Sequence, residues 1–266
     1  MITALLVGLA GGAASGLLGI GGGVVLVPLL VRFYHMPQKN AHGTSLAILV
    51  FTAIAAALTY QATEPIDLAM AGWLALGATV AAPLGARMAA RLSSANLRRA
   101  FGVMLVLVGI RLFLTHLPSG SWLAQPGVLG TVFEVATGFV VGWLSGLLGV
   151  GGGTILVPIL TLLFGVEQHH AQGVSLVMII PTAIAGAWTH LKLGHVDKRI
   201  VPTIAAGSVV AAIAAATVAS HLPAATLKIC FGALLVWMGA RFALQPAPPK
   251  QDGPRPKTEP VAQDRS

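Results

Sequence analysis

A sixteen-residue segment occurs twice in this chain, and this repetition constrains the fold more than any other feature. Residues 15–30 read SGLLGIGGGVVLVPLL and residues 145–160 read SGLLGVGGGTILVPIL, an offset of 130 residues. The offset persists without a gap and matches Gly43, Ser45, Thr52, Phe101 and Arg111 with Gly173, Ser175, Thr182, Phe231 and Arg241. A repeat of this length indicates two homologous halves built on one plan.

Each half has the same order of apolar segments. A long segment is interrupted by GxGGG, at residues 19–23 or 149–153, and a short apolar piece follows. Three uninterrupted apolar runs come next, at 41–60, 67–90 and 97–116, matched by 171–190, 198–220 and 224–244. We therefore predict a first repeat over 1–116, a connection over 117–130 and a second repeat over 131–245. Residues 246–266 are rich in proline and charge, which predicts a disordered tail.

Composition indicates that these runs lie in a membrane. Hydrophobic residues make up 56% of the chain and charged residues only 9%, whereas soluble domains carry about 25% charged residues. Since a helix needs about 20 apolar residues to span a bilayer, we predict an all-α polytopic membrane protein with lipid around it. An ordinary soluble enzyme is excluded. The net charge is +8, and the basic residues lie in the short gaps between apolar runs and in the tail. This placement is typical of residues that set membrane topology, and it disfavours nucleic-acid binding.

The basic residues swap between equivalent gaps of the two halves. The middle gap of the first half carries Glu64 and Asp67, whereas that of the second carries Lys192, Lys198 and Arg199. By the positive-inside rule, the halves should form an inverted repeat. Each half then needs an odd number of crossings, so we predict a re-entrant or glycine-broken helix plus three transmembrane helices. Both termini should be cytoplasmic, in the inner (plasma) membrane.

The glycine clusters are the best candidates for a binding site. Broken backbone at membrane depth must be buried in protein or line a cavity, and it frees N–H groups that attract an anion. Matched breaks in two halves are typical of a transporter's central site. The alternative is close helix packing, which we favour for the isolated glycines Gly72, Gly77, Gly102 and Gly207. The candidate substrate-binding residues are Gly19, Gly21, Gly22, Gly23, Val24, Ser45, Thr52, Gly149, Gly151, Gly152, Gly153, Thr154, Ser175 and Thr182.

Polar side chains at matched positions supply the remaining candidates. The Ser and Thr hydroxyls can donate to an anion, although such groups also bond their own helix backbone. His42, the counterpart of Gln172, is a candidate for a coupling proton, with an interfacial position as the alternative. His169 and His170 do not share a helix face, so we predict no metal site.

The acidic residues disfavour a cation as substrate. Acids inside a membrane mark cation or proton pathways, and only Glu134 falls within an apolar stretch. The sequence has neither a GxxxxGK[ST] phosphate loop nor a dinucleotide-binding unit. We therefore predict no enzyme activity and no cofactor. An anion held by backbone and hydroxyl donors fits this set of residues better.

The doubled motif, followed by HGTSLAILVFTAIAAALTY and QGVSLVMIIPTAIAGAWTH, resembles the sulfite exporter TauE/SafE family. The similarity covers residues 4–244. The resemblance implies a permease for sulfite, sulfoacetate, related sulfonates or organic acids, coupled to the proton gradient. The motif glycines, together with Pro28 and Pro158, are the positions that match the family motif. One departure from the repeated pattern is Phe51, which aligns with Pro181 of the second half.

Secondary active transport of a small anion is the leading interpretation. The alternative is an anion channel with the same broken helices. A channel would conduct the anion without alternating access. A membrane-embedded enzyme or assembly factor would need paired catalytic groups, which the sequence lacks.

Overall fold

The computed structural model describes residues 2–89, 94–114, 123, 125, 127–148 and 152–244. These residues form ten α-helices and no β-strand. The helices are α1 Ile2–Leu18, α2 Gly23–Tyr34, α3 Gln38–Thr63, α4 Leu68–Ala89, α5 Ser94–Phe113, α6 Val128–Leu148, α7 Gly153–Leu162, α8 Gln168–Lys192, α9 Val201–His221 and α10 Ala224–Leu244. The candidate site residues Gly149 and Gly151, and the predicted tail at 246–266, lie outside the described part.

The apolar runs coincide with the long helices. Within the described residues, six helices are long and apolar enough to cross a membrane: α3, α4, α6, α8, α9 and α10. The prediction of an all-α polytopic fold is therefore confirmed. The shorter apolar helices include α1, α2 and α7, and these flank the two glycine clusters.

The most extensive helix contacts join one half of the sequence to the other. Helix α1 packs against α9, α4 against α6, α3 against α8, and α5 against α10. Under the 130-residue offset, α1 corresponds to α6 and α9 to α4, so the α1–α9 and α4–α6 contacts are counterparts. Each half therefore packs mainly against the other half, and equivalent helices make equivalent contacts.

Glycines spaced four residues apart bring the α1–α9 and α4–α6 pairs into backbone contact. A Cβ added to any of them would collide with a backbone carbonyl oxygen of the facing helix, a close approach typical of membrane helices. The Ser208 hydroxyl adds a 2.9 Å hydrogen bond to the Gly8 carbonyl. The six glycines are Gly8, Gly12 and Gly16 on α1, and Gly138, Gly142 and Gly146 on α6.

Three of the four isolated glycines follow the packing interpretation and one does not. Gly77 lies against the Val135 carbonyl, and a Cβ on Gly207 would come 3.0 Å from the Leu5 carbonyl oxygen. A Cβ on Gly72 would meet no atom within 4 Å, so the packing interpretation is wrong there. Gly102 packs through its backbone, since its carbonyl lies against Gly239.

Equivalent helices of the two halves run in opposite directions. The start of α3 meets the end of α8 through His42 and His190, and Tyr60 near the end of α3 meets Gln172 near the start of α8. Helices α5 and α10 are also antiparallel, since Gly109 lies against Gly232 and Gly102 against Gly239.

Helices α1 and α2 form a hairpin whose tip is the first glycine cluster. A Cβ on Gly11 would meet the Leu26 side chain, and one on Gly22 would collide with the Gly11 carbonyl. The chain therefore reverses at Gly19–Gly22 and returns along α1.

Candidate functional site

The first glycine cluster adopts backbone that favours glycine. Gly19, Gly21 and Gly22 have φ angles of 67°, 75° and 74°, in the left-handed region where a Cβ is disfavoured. Gly22 caps α2, because its carbonyl accepts hydrogen bonds from the Val25 and Leu26 N–H groups at 3.0 and 2.9 Å. Gly23 and Val24 begin the helix and have no helical carbonyl four residues before them, so their N–H groups are the ones in this turn that can bind a ligand.

This break lies in the crossing between α3 and α8. A Cβ on Gly19 would come 2.7 Å from the Gln172 Cα, and one on Gly21 would touch Leu49 and Ile179 at 3.2 and 3.1 Å. The Ser45 Oγ lies 3.8 Å from a Cβ added to Gly23. Elements of both halves therefore surround the first break.

The second glycine cluster touches the first. Gly152 has a φ of −65° and caps α7, which begins at Gly153. A Cβ on Gly153 would lie 2.8 Å from the Ile20 Cα and 2.8 Å from the Ser175 Oγ. Ile20 and Thr154 are buried. The structure thus brings together the two breaks, with Ser45 and Ser175 beside their helix starts.

Three side chains bond the carbonyls at the end of α1 and of Gly19, the residue that follows it. The Ser175 hydroxyl donates to the Gly19 carbonyl at 2.9 Å, and the Gln172 amide donates to Leu17 at 3.3 Å. The Tyr60 hydroxyl lies 2.9 Å from the Gly16 carbonyl and 2.8 Å from the Gln172 Oε1. Helix ends leave carbonyls without partners, and here both halves supply the donors.

Two of the three candidate threonines bond their own helices. The Thr52 hydroxyl donates to the Ile48 carbonyl at 3.0 Å, and the Thr182 hydroxyl to that of Ile179 at 2.8 Å. An anion needs a donated proton, and both protons are directed to the helix backbone. In this arrangement Ser45 and Ser175 are the better hydroxyl candidates, although Ser175 must release Gly19 before it can donate to an anion.

Ser15 is a further candidate site residue, one that the sequence did not single out. Its hydroxyl is fully buried, and no hydrogen-bond partner for it exists among the described residues. Its Cβ lies 3.4 Å from a Cβ added to Gly22, the cap of α2. An unpaired buried hydroxyl is costly, which makes Ser15 a further donor for the same site. The available signal was its place at the head of the repeated SGLLG.

The histidines fall into separate environments. The His42 ring lies 5.5 Å from that of His190, between centroids. His169 Nε2 lies 3.1 Å from the Leu222 carbonyl, whereas His170 Nδ1 lies 3.6 Å from the Glu64 carboxylate. The neighbours His169 and His170 therefore have different partners. Among the described residues, no three His, Cys, Asp or Glu side chains are placed so that they could hold a metal ion.

A multi-pass helical protein with two broken helices meeting at its centre has the architecture of a membrane transporter, and comparison with known proteins identifies the family. The model of the Sulfite exporter TauE/SafE family matches residues 1–112 and 135–263. The chain therefore belongs to this family. The second match extends beyond residue 244, where the sequence analysis ended the similarity.

The curated relatives are membrane transporters by name. Probable membrane transporter protein YunE of Bacillus subtilis is 28% identical over 215 residues, which cover 73% of this chain and 79% of the relative. YdhB of the same organism is 27% identical over 221 residues, covering 82% and 89%. A probable membrane transporter protein of Haemophilus influenzae is 27% identical over 270 residues, covering 92% and 98%. No solved structure matches significantly. The chain is a membrane transporter and not an enzyme.

Proposed function

We propose that this protein is a secondary active transporter of a small anion, coupled to protons, in the inner (plasma) membrane. The substrate class is sulfite, an organosulfonate or a related organic acid. The observation that carries the proposal is the direct contact between the two glycine breaks, at Gly153 and Ile20. A site shared by two interlocked halves can change its access when one half moves relative to the other.

The anion would be held by the N–H groups at the starts of α2 and α7, including those of Val24 and Thr154. The Ser45 hydroxyl would be a donor on the α2 side of the site and the Ser175 hydroxyl a donor on the α7 side. Each helix N-terminus has a partial charge of about half an elementary unit, so two of them nearly match one anion. No Lys or Arg would contact the anion directly. A lysine would bind it more tightly and slow its release, whereas transport needs both steps.

The proposal includes an inverted repeat. It is supported by the antiparallel pairs α3–α8 and α5–α10, because equivalent helices that run in opposite directions across a bilayer belong to halves of opposite orientation. Each half would cross three times if the α1–α2 hairpin, and α6 with α7 in the second half, enter and leave on one side, although α6 alone is long enough to span the membrane. Both termini would be cytoplasmic, with residues 61–67 outside and residues 192–199 inside.

Flux into proteoliposomes tests the function. Sulfite, thiosulfate, sulfonates and short carboxylates are offered with and without an imposed pH gradient, with empty liposomes as the control. Accumulation of an anion above its external concentration, driven by the pH gradient, supports the transporter. Flux that only dissipates the gradient of the anion itself supports a channel. If none of these anions moves, both proposals are wrong.

A further inference from the structure

The two ends of the α3–α8 pair are equivalent under the repeat and differ in chemistry. The 130-residue offset matches Tyr60 with His190 and Gln172 with His42. At one end, Tyr60 and Gln172 form a 2.8 Å hydrogen bond and are 2% and 0% exposed. At the other end, the same two positions hold a pair of imidazoles, with ring centroids 5.5 Å apart.

A third histidine joins the second pair. The His195 ring lies 5.7 Å from that of His190, and its backbone N–H donates to the His190 carbonyl at 2.9 Å. The Nδ1 atoms of both rings are buried, with no hydrogen-bond partner among the described residues. We name His42, His190 and His195 the histidine cluster. An imidazole changes its charge between about pH 5 and 8, whereas a phenol and an amide do not.

The charged groups at the ends of the elements that carry the histidine cluster, or pack against those elements, are mostly basic. Lys39 lies near the start of α3, Arg87 at the end of α4, and Lys192 at the end of α8 with its Nζ 5.2 Å from the centre of the Trp188 ring. In the α8–α9 loop, Lys198 and Arg199 accompany Asp197, whose carboxylate accepts the Arg199 N–H at 2.9 Å. The only ion pairs within 4.0 Å among the described side chains involve His170. No carboxylate is therefore paired with the cluster, and a proton bound there needs its counter-charge from elsewhere.

The cluster lies next to the proposed anion site. His42 precedes Ser45 by three residues on α3, less than one helical turn, so the two share a face. Gln172 has the same relation to Ser175 on α8. The Asp197 N–H also donates to the Thr44 hydroxyl at 3.0 Å, which holds the α8–α9 loop against this part of α3. A negative charge that enters between the cluster and Ser45 would stabilise a protonated imidazole by direct attraction.

We propose that the histidine cluster binds the coupling proton and that the anionic substrate supplies its counter-charge. The Tyr60–Gln172 pair is the counterpart that does not titrate. Proton and anion then bind together on the Ser45 side of the anion site, while the Tyr60–Gln172 end, beside Ser175, does not change its charge. This inference rests on the proposed anion transport and deepens it, because it assigns the coupling to three named residues.

The sharpest variant copies one end of the pair onto the other. In His42→Gln/His190→Tyr the histidine cluster is replaced by the pair that occupies the equivalent positions. His221→Gln is the matched control, since it removes an exposed histidine at the far end of α9. Sulfite affinity of the purified full-length protein is measured from pH 5 to 8 for the unmutated protein, the double variant and the control.

If one proton binds together with each anion, the sulfite affinity depends on pH in a defined way. Sulfite affinity of the unmutated protein and of His221→Gln should rise, relative to the double variant, by about tenfold for each unit of falling pH while the cluster titrates. Protonation of sulfite itself is common to all three proteins and cancels in the comparison. Parallel pH profiles for the double variant and the unmutated protein overturn the inference and leave the transport proposal intact.

Two further outcomes are decisive. If the unmutated protein neither binds nor moves any of the anions, the proposed function fails and this inference fails with it. If the double variant does not fold, as judged by its elution and thermal unfolding in detergent, His42→Gln alone is measured under the same criteria. A pH profile parallel to that of the unmutated protein then counts against the cluster, and a flattened one supports it.

Discussion

The two glycine breaks have nearly the same sequence and different backbone constraints. Gly22 caps α2 with a φ of 74°, whereas its counterpart Gly152 caps α7 with a φ of −65°. A Cβ on Gly22 would collide with the Gly11 carbonyl, but one on Gly152 would meet the flexible end of Met178, whose Cε is 2.8 Å away, and would touch the Val141 Cγ1 at 3.4 Å. Equal motifs therefore impose unequal requirements: the first break needs glycine at this position, and the second needs only a small residue.

The largest expected difference between the halves is in their orientation. Single cysteines at Gln61 and Lys198, introduced separately into a Cys230→Ser background, should react with an impermeant thiol reagent from opposite sides of the membrane. The physical reason is that α3 and α8 are equivalent and antiparallel. Labelling of both positions from the same side would contradict the inverted repeat.

The second largest expected difference is the effect of alanine substitution on stability in the two breaks. Gly22→Ala forces a side chain into left-handed backbone, at about 1–3 kcal/mol, and also displaces the Gly11 carbonyl. We expect a large loss of folded protein in detergent, measured by thermal unfolding. Gly152→Ala should stay within about 1 kcal/mol of the unmutated protein, because a methionine side chain readily moves aside. Equal losses in both variants would show that the difference in φ has no consequence.

The smaller expected effect concerns the serines. Ser175→Ala removes the hydroxyl that bonds the buried Gly19 carbonyl, and an unsatisfied buried acceptor costs about 1–3 kcal/mol. Ser45→Ala should cost less in stability, because its hydroxyl faces the start of α2 and not the end of α1. Free energies of unfolding in denaturant, compared between the two variants, test this order. A larger loss for Ser45→Ala would reverse the assignment.

The sequence predicted the helices well because their signal is local. The apolar run at 41–60 became α3 Gln38–Thr63, and the break at the first glycine cluster falls where the motif predicted it. The partners of the carbonyls at the end of α1 could not be predicted. Tyr60 and Gln172 are 112 residues apart in the chain, and only packing between the halves brings them together.

The direction of hydroxyl side chains was the other feature that could not be predicted from the sequence. A hydroxyl in a helix can donate to its own backbone or to a ligand, and composition does not distinguish the two. Thr52 and Thr182 donate to their own helices, whereas Ser175 donates across to Gly19. From the sequence alone, Gly22→Val and Gly152→Val are both predicted to abolish transport while leaving much of the protein folded. The φ angles of 74° and −65° make Gly22 the more sensitive position.

Anion binding by single-serine variants tests the central claim most directly, that both halves contribute to one anion site. Sulfite titrations at a fixed pH compare Ser45→Ala and Ser175→Ala with Thr59→Val and Thr189→Val. These threonines are equivalent to each other, lie on the same helices, and donate to their own backbones at 2.9 Å. Loss of one donor to the anion costs about 0.5–3 kcal/mol, so each serine variant should bind from a few-fold to about a hundredfold more weakly. The threonine variants should bind as the unmutated protein does, and unchanged affinity in both serine variants would contradict the account.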